Sequence, residues 1–256
     1  MSVELGAGLI GIGREWGHAK KEVPKVSEAA TYLNAAYTAG IRFFDTAPAY
    51  GFSETRLGAF LSDLHPAERE DIVVATKFGE YWDSSTSHSF VDHSYDALIH
   101  SFTNSLNILK KIDVLQLHKS STANILSDET LRAFEYAREH GVKVIGASVS
   151  DEATAEIVCE SDTYDLLQVP FNEANKKFKP YIEQAAHNGK LVVVNRPFQM
   201  GAILMSDQGL SNRHNLRVRA FEAILETPFE GYILTGTSSP QHLAENLIAF
   251  QEAENK

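Results

Sequence analysis

Residues 27–46, SEAATYLNAAYTAGIRFFDT, contain one helix–strand unit of a pattern that repeats along the chain. Ser27 is a suitable N-cap and Gly40 a suitable stop for an amphipathic segment, so residues 27–39 are predicted to form a helix. The next residues, 41–46, contain the short run Ile-Arg-Phe-Phe before Asp45 and are predicted to form a strand. Most of the predicted strands of this chain are continuously apolar rather than alternating between apolar and polar residues, which indicates strands buried on both faces. Such strands are typical of parallel sheets.

The same alternation continues in both directions from this unit. Further strands are predicted at residues 3–12, 71–78, 113–118, 142–148, 164–171, 191–197 and 232–237, and further helices at 53–64, 94–110, 127–140, 151–160, 180–188, 217–226 and 240–251. No linker rich in Pro, Gly or Ser divides the 256 residues. Because parallel barrels often run to ~250 residues as one unit, the pattern predicts an α/β protein with a single domain over residues 1–256, a (β/α)8 TIM barrel.

An open doubly wound sheet is the alternative fold. Gly6, Gly8, Gly11 and Gly13 form G-x-G-x-x-G-x-G, whose first part matches the glycine pattern of nucleotide-binding sheets. In that fold a helix begins at the glycines, whereas residues 14–24 show no helical pattern. The glycines are therefore interpreted as the end of a strand and a bend.

The composition of the chain argues against some classes of function. The chain has 23 basic and 34 acidic residues, a net charge of −11, which argues against a nucleic-acid binder because such proteins need a cationic surface. The 43% of hydrophobic residues supply a sizeable core. Cys159 is the single cysteine, and neither a signal peptide nor an apolar run of about 20 residues is visible. The sequence therefore predicts a cytoplasmic protein without membrane contact, either a monomer or a homo-oligomer.

Four titratable residues follow the ends of consecutive predicted strands. Asp45, Lys77 and His118 end the second, third and fourth strands, and Tyr50 follows in the loop after Asp45. In a parallel barrel these ends converge on the mouth that carries the active site. A lysine ammonium lowers the pKa of a nearby phenol, an aspartate keeps the lysine charged, and a histidine orients a substrate oxygen. The set suits proton transfer to a carbonyl oxygen or from an alcohol, with a hydride exchanged by a cofactor.

Three long predicted loops contain large aromatic side chains. The loops cover residues 13–24, 79–93 and 198–216. Trp16, Tyr81 and Trp82 are candidate substrate walls, or alternatively anchors that pack on top of the barrel.

Several ordered segments resemble the aldo-keto reductases. Residues 44–54, FDTAPAYGFSE, resemble the family signature, and residues 75–77 (ATK) and 115–118 (LQLH) are similar to its lysine and histidine strands. Later similar segments are 146–148 (GAS), 168–172 (QVPFN), 236–239 (GTSS) and 245–246 (EN). The resemblance covers nearly the whole chain and implies a (β/α)8 barrel enzyme that reduces an aldehyde or ketone with NAD(P)H, or catalyses the reverse reaction.

The resemblance also implies a role for each site residue. Tyr50 would be the general acid, Lys77 would tune its pKa, Asp45 would orient Lys77, and His118 would orient the carbonyl. The implied cofactor residues are Ser148 and Gln168 at the nicotinamide amide, Pro197, Phe198 and Gly201 along the pyrophosphate, Gly236, Thr237, Ser238 and Ser239 at a phosphate near strands 7 and 8, and His242, Glu245 and Asn246 at the adenosine end. Ser238 and Ser239 could alternatively serve only as an N-cap.

The sequence departs from the family at the adenosine end. Gly236 and His242 stand where many NADPH-preferring members have lysine and arginine. The resemblance therefore implies NADP(H) over NAD(H) by a small margin only. Other cations could meet the 2′-phosphate in their place. One of Arg213, Arg217 and Arg219 could do so, although these residues could alternatively form only a solvated basic helix start. Arg196 could also reach a phosphate, or could alternatively be a salt-bridge partner at the end of a strand. The sequence ends at Lys256 without the long C-terminal loop of many members, so a more open substrate pocket, or one walled by a neighbouring subunit, is expected.

Three other functions remain open. A regulatory barrel could hold the nucleotide without turnover, although that role does not need both Tyr50 and Lys77. A Schiff-base enzyme could use Lys77 as its nucleophile, although Asp45 would keep the amine protonated. A metal hydrolase is the weakest, because His88 and His93 lack a recognisable ligand spacing; no metal is predicted.

Overall fold

The computed structural model describes residues 2–18, 22–205 and 210–256. Its strands, in chain order, are β1 (Val3–Gly8), β2 (Phe43–Asp45), β3 (Val73–Phe78), β4 (Glu80–Asp83), β5 (His88–Val91), β6 (Val114–Leu117), β7 (Val144–Ser148), β8 (Leu166–Pro170), β9 (Leu191–Asn195) and β10 (Gly231–Thr235). Eight of them close into a parallel barrel in the order β1-β10-β9-β8-β7-β6-β3-β2, and β4 pairs with β5 in an antiparallel hairpin. The predicted (β/α)8 barrel is confirmed.

Helices follow most of the barrel strands. They are α1 (Ile10–Gly13), α2 (Val26–Thr38), α3 (Ser53–Asp63), α4 (Pro66–Glu70), α5 (Tyr95–Leu109), α6 (Asp128–Glu139), α7 (Glu152–Glu160), α8 (Lys179–His187), α9 (Leu210–Leu225) and α10 (Pro240–Glu254). Ser127 caps α6 as expected, since its Oγ accepts a hydrogen bond from Thr130 N at 3.3 Å. Helix α2 begins earlier than predicted. Its N-cap is Lys25 rather than Ser27, and the Lys25 N–H donates to the Glu28 carboxylate at 2.7 Å.

The inner face of the barrel changes from apolar to polar along each strand. One buried layer inside it consists of Phe43, Ala75, Val114, Leu166, Val193 and Leu234. Side chains two residues apart point to the same face of a strand. The next inward layer therefore consists of Asp45, Lys77, Gln116, Gln168, Asn195 and Gly236. The polar layer lies at the carboxyl ends of the strands, on a closed apolar floor.

The glycine-rich segment after β1 differs from its prediction. The predicted strand over residues 3–12 ends at Gly8, and Ile10–Gly13 forms a helical turn instead of a bend. Gly13 lies so close to the loop before α3 that an added Cβ would be 1.8 Å from the Tyr50 carbonyl oxygen. Glycine at this position permits the backbone contact that places Tyr50.

Two predicted loops contain secondary structure. The region at residues 79–93 forms the β4–β5 hairpin, in which the rings of Tyr81 and Phe90 stack at 5.2 Å. In the region at 198–216, Gln199–Leu204 forms a 3₁₀ helix, and α9 begins at Leu210, before the predicted start at 217. Residues 19–21, in the predicted loop 13–24, and residues 206–209, in the predicted loop 198–216, lie outside the described residues.

Across the described ranges, none of the helices combines the length and the apolar character that a membrane crossing requires.

Candidate active site

A buried ion pair lies at the polar end of the barrel interior. Lys77 Nζ lies 2.6 Å from Asp45 Oδ1 and also donates to the Thr46 carbonyl oxygen at 3.0 Å. The other carboxylate oxygen, Asp45 Oδ2, accepts from the amide groups of Gln116 at 3.0 Å and Gln168 at 3.2 Å. Burial opposes the charged form of Lys77, but Asp45 and Tyr50 outweigh it and raise the pKa of the ammonium. The lysine is therefore a fixed, permanent cation.

Tyr50 lies between this cation and the cavity. It ends a 3₁₀ turn, Pro48–Tyr50, and Lys77 Nζ lies 4.9 Å from the centre of its ring. Burial raises the pKa of Tyr50 and Lys77 lowers it, by charge and by a hydrogen bond, while Asp45 raises it again. The lowering by Lys77 agrees with the prediction, but burial outweighs it, so the net direction of the pKa shift is upward. The phenol keeps its proton at neutral pH.

His118 faces Tyr50 across the cavity floor. It directly follows β6, and its ring meets that of Tyr50 edge-on at 5.8 Å between centroids. Its backbone is held by His93, whose Nε2 lies 2.8 Å from the His118 carbonyl oxygen. Burial lowers the pKa of His118 well below its ordinary range, and Lys77 and Lys119 add to the effect. The imidazole is therefore neutral at neutral pH.

The site contains a second buried carboxylate, which the sequence did not indicate. Glu80 begins β4, is 4% exposed and lines the same cavity as His118. Its Oε2 lies 3.1 Å from His118 Nδ1, without hydrogen-bond geometry. Gln116 was also missed, although its position two residues after Val114 on an inward face could have identified it. For Glu80 no such signal existed, because the hairpin was interpreted as an irregular loop.

These residues border a cavity of about 560 Å³. Besides Asp45, Tyr50 and His118, the predicted site residues that line it are Trp16, Ser148, Gln168, Pro197, Phe198, Gly201, Gly236, Thr237, Ser238, His242 and Asn246. The predicted site residues that do not line it are Lys77, Tyr81, Trp82, Ser239 and Glu245. Ser239 accepts from His242 N at 3.4 Å and so caps α10, which is its alternative role. Trp82 contacts Arg14, whose guanidinium lies 4.6 Å from the indole.

Two arginines of α9 line the cavity. Arg217 is 6% exposed, and it donates to Glu245 Oε2 at 2.5 Å and to Asn246 Oδ1 at 3.0 Å. Arg213 lines the cavity beside it, with its Nε buried and lacking a hydrogen-bond partner. Arg219 is instead on the surface, paired with Glu173 at 2.9 Å. Arg196 also lines the cavity, so three of the four substitute cations suggested by the sequence reach it.

The ring of His93, in the predicted loop 79–93, makes structural contacts. Both ring nitrogens of His93 have partners, the His118 carbonyl and the Asn124 amide. Within residues 2–18, 22–205 and 210–256, His, Cys, Asp and Glu side chains form no group of three or more that could hold a metal ion. The arrangement does not support a metal hydrolase.

Known proteins are similar to this chain in sequence and in fold. The sequence profile of the Aldo/keto reductase family matches residues 4–226. The chain is 24% identical to the uncharacterized oxidoreductase YqkF of Bacillus subtilis (strain 168), over 96% of this chain and 86% of that protein. It is 29% identical to the D-threo-aldose 1-dehydrogenase of a Pseudomonas species, over 73% and 64% of the two chains. A solved aldo-keto reductase structure from Pseudomonas aeruginosa superposes with a TM-score of 0.80 and 26% identity, covering 98% of this chain and 90% of that one.

Proposed function

Because the chain belongs to the Aldo/keto reductase family and is an NAD(P)H-dependent oxidoreductase, we propose that it reduces an aldehyde or ketone to an alcohol, or catalyses the reverse, with Tyr50 as the proton donor. The observation that carries this proposal is the contact of Tyr50 with the buried Lys77–Asp45 pair at the cavity floor. A protonated phenol in that position can give its proton to a carbonyl oxygen, because the neighbouring ammonium stabilises the phenolate left behind.

Each neighbour of Tyr50 then has a distinct task. Lys77 stabilises the phenolate, and Asp45, itself held by Gln116 and Gln168, keeps the ammonium charged and in place. The neutral His118 imidazole orients the substrate oxygen from the opposite side. A bound nicotinamide supplies the hydride in reduction and accepts it in oxidation. In oxidation the proton moves from the alcohol to the phenolate form of Tyr50, which the ammonium of Lys77 stabilises.

The cavity suits a dinucleotide. Its lining includes His118 after β6, Asn195 at the end of β9 and Arg217 on α9. The buried Oδ1 of Asn195 has no hydrogen-bond partner. At Gly236 an added Cβ would meet nothing within 4 Å, so the wall is open there. Unused polar groups and cations along one long wall match the amide and phosphates of such a cofactor.

We assign the cofactor contacts along this wall as follows. Ser148 and Gln168 hold the nicotinamide amide, Pro197, Phe198 and Gly201 follow the pyrophosphate, Gly236, Thr237 and Ser238 meet a phosphate, and His242 and Asn246 border the adenosine. Ser239 and Glu245 act indirectly, Ser239 by capping α10 and Glu245 by holding Arg217.

We further propose that NADP(H) is preferred over NAD(H). The cations at the adenosine end come from α9, since Gly236 and His242 stand where other members have basic residues. Arg213 and Arg217 are close enough for Arg213 to lower the pKa of Arg217, although burial has the larger effect. An anion between two such guanidinium groups relieves their repulsion, and the 2′-phosphate of NADP(H) is such an anion.

Replacing Arg213 with alanine is expected to weaken NADPH binding by about 10- to 100-fold, the range of one hydrogen bond to a charged group, and to leave NADH binding unchanged. Fluorescence titration measures both affinities, because Trp16 lines the cavity. Arg219→Ala, which removes a surface arginine from the same helix, is the matched control. Equal effects on the two cofactors would contradict the assignment.

The other functions have less support. Lys77 Nζ is fully buried and paired with Asp45, so it is poorly placed to attack a carbonyl as a Schiff-base nucleophile. A regulatory barrel predicts saturable NADPH binding without consumption of NADPH on any panel of aldehydes and ketones. Consumption on that panel is the test of the reductase. The lone Cys159, buried and free, agrees with our proposal that the protein acts in the cytoplasm.

A further inference from the structure

The wall of the cavity nearest to His118 carries a fixed, incompletely used carboxylate. Glu80 Oε1 accepts from Ser89 Oγ at 2.7 Å, a bond between the two strands of the hairpin, and lies 3.7 Å from Lys119 Nζ. Its Oε2 lies 3.1 Å from His118 Nδ1. An ionised carboxylate accepts about four hydrogen bonds. The hairpin therefore presents spare acceptor capacity beside the residue that orients the substrate oxygen.

An incompletely used donor lines the same cavity as this acceptor. Arg14 lines the cavity, and its Nε is buried without a hydrogen-bond partner. Its guanidinium lies 4.6 Å from the Trp82 ring and 5.7 Å from the Trp16 ring, so two indoles fix its position. Burial lowers the pKa of Arg14, and the charge of Glu80 raises it. The two side chains therefore interact electrostatically.

A hydroxyl group is the simplest ligand for such a pair, because it donates one hydrogen bond and accepts others. We propose that Glu80 is a specificity-determining residue that accepts a hydrogen bond from a hydroxyl on the carbon next to the reacting carbonyl, with Arg14 donating to the same hydroxyl. The preferred substrates are then α-hydroxy aldehydes or ketones. A substrate with hydrogen at that carbon leaves a buried carboxylate without its partner, and such losses discriminate strongly. This inference rests on the proposed carbonyl reduction at Tyr50.

The test compares lactaldehyde with propanal, which lacks only the hydroxyl. The wild-type ratio of kcat/KM values with NADPH is expected to favour lactaldehyde by about 10- to 100-fold. Glu80→Leu is expected to bring that ratio close to one, and Glu80→Gln, which keeps an acceptor oxygen and the side-chain shape, to bring it part of the way. A ratio does not depend on the folded fraction of a variant. Asp83→Asn, at the other end of β4, removes one acid from the same hairpin and is expected to keep the wild-type ratio.

The opposite results are equally clear. A wild-type enzyme that reduces other carbonyl compounds but does not favour lactaldehyde over propanal overturns the proposal. So does a Glu80→Leu variant that loses activity on both substrates while keeping the ratio, because Glu80 would then act through His118 or the fold. A wild-type protein that reduces no carbonyl compound at all fails at the proposed function itself.

Discussion

Replacing Tyr50 with phenylalanine is expected to lower kcat for carbonyl reduction by about 100- to 10,000-fold, the usual contribution of a positioned general acid. The ring remains to pack against Lys77 and His118, so only the hydroxyl, with its transferable proton and its hydrogen bond to Lys77, is lost. NADPH affinity is expected to stay near the wild-type value, which a fluorescence titration of the same preparation checks. Full activity in this variant would remove Tyr50 from the mechanism.

The pH profile is a further control on the role of Tyr50. Its pKa is raised above the ordinary value of about 10, so reduction is expected to hold through neutral pH and to fall only in the alkaline range. Alcohol oxidation needs the phenolate and is expected to rise with pH over the same range. Both limbs are expected to disappear with Tyr50→Phe. An alkaline limb that persists in the variant would belong to another group.

Replacing Lys77 with methionine is expected to have the second largest effect, on stability as well as on turnover. The change leaves Asp45 as a buried carboxylate without its counter-charge, which costs about 3–5 kcal/mol of unfolding free energy. It also removes the cation that stabilises the Tyr50 phenolate, so kcat/KM is expected to fall by about 100-fold or more. Urea unfolding and steady-state kinetics measure the two effects.

The double variant Lys77→Met/Asp45→Asn separates these two effects. It removes both charges of the pair, so most of the lost stability is expected to return. Turnover is not expected to return, because the phenolate still has no cation beside it. Recovery of activity together with stability would show that Lys77 serves the fold and not the reaction.

The barrel could be predicted from the sequence because its parallel strands are buried on both faces. Runs such as residues 72–75 and 191–194 are continuously apolar and stand out between helices. The polar layer could be located too, because Asp45, Lys77 and His118 each follow such a run. The same two-residue period leads from Val114 to Gln116, which was missed.

Other features of the site could not be predicted from the sequence, because they depend on contacts between segments that are distant in the chain. Glu80 is one of 34 acidic residues in the sequence, and only the pairing of β4 with β5 places it against His118. The effect of Lys77 on the pKa of Tyr50 was predicted with the right sign, but the larger opposite effect of burial was not predicted, because the sequence indicates the neighbouring charge and not the depth of burial. Arg213 and Arg217 could be distinguished from Arg219 only after the rotation of α9 against α10 was known.

The most direct test of the central claim uses NADPH with deuterium at its transferable position, a reducible aldehyde and the wild-type enzyme. Proposed hydride transfer at the Tyr50 site predicts that the label appears on the former carbonyl carbon of the alcohol, one atom for each NADPH consumed. The same reaction with Tyr50→Phe is expected to give the same labelled product far more slowly. Saturable NADPH binding with no label in any alcohol product would contradict the account.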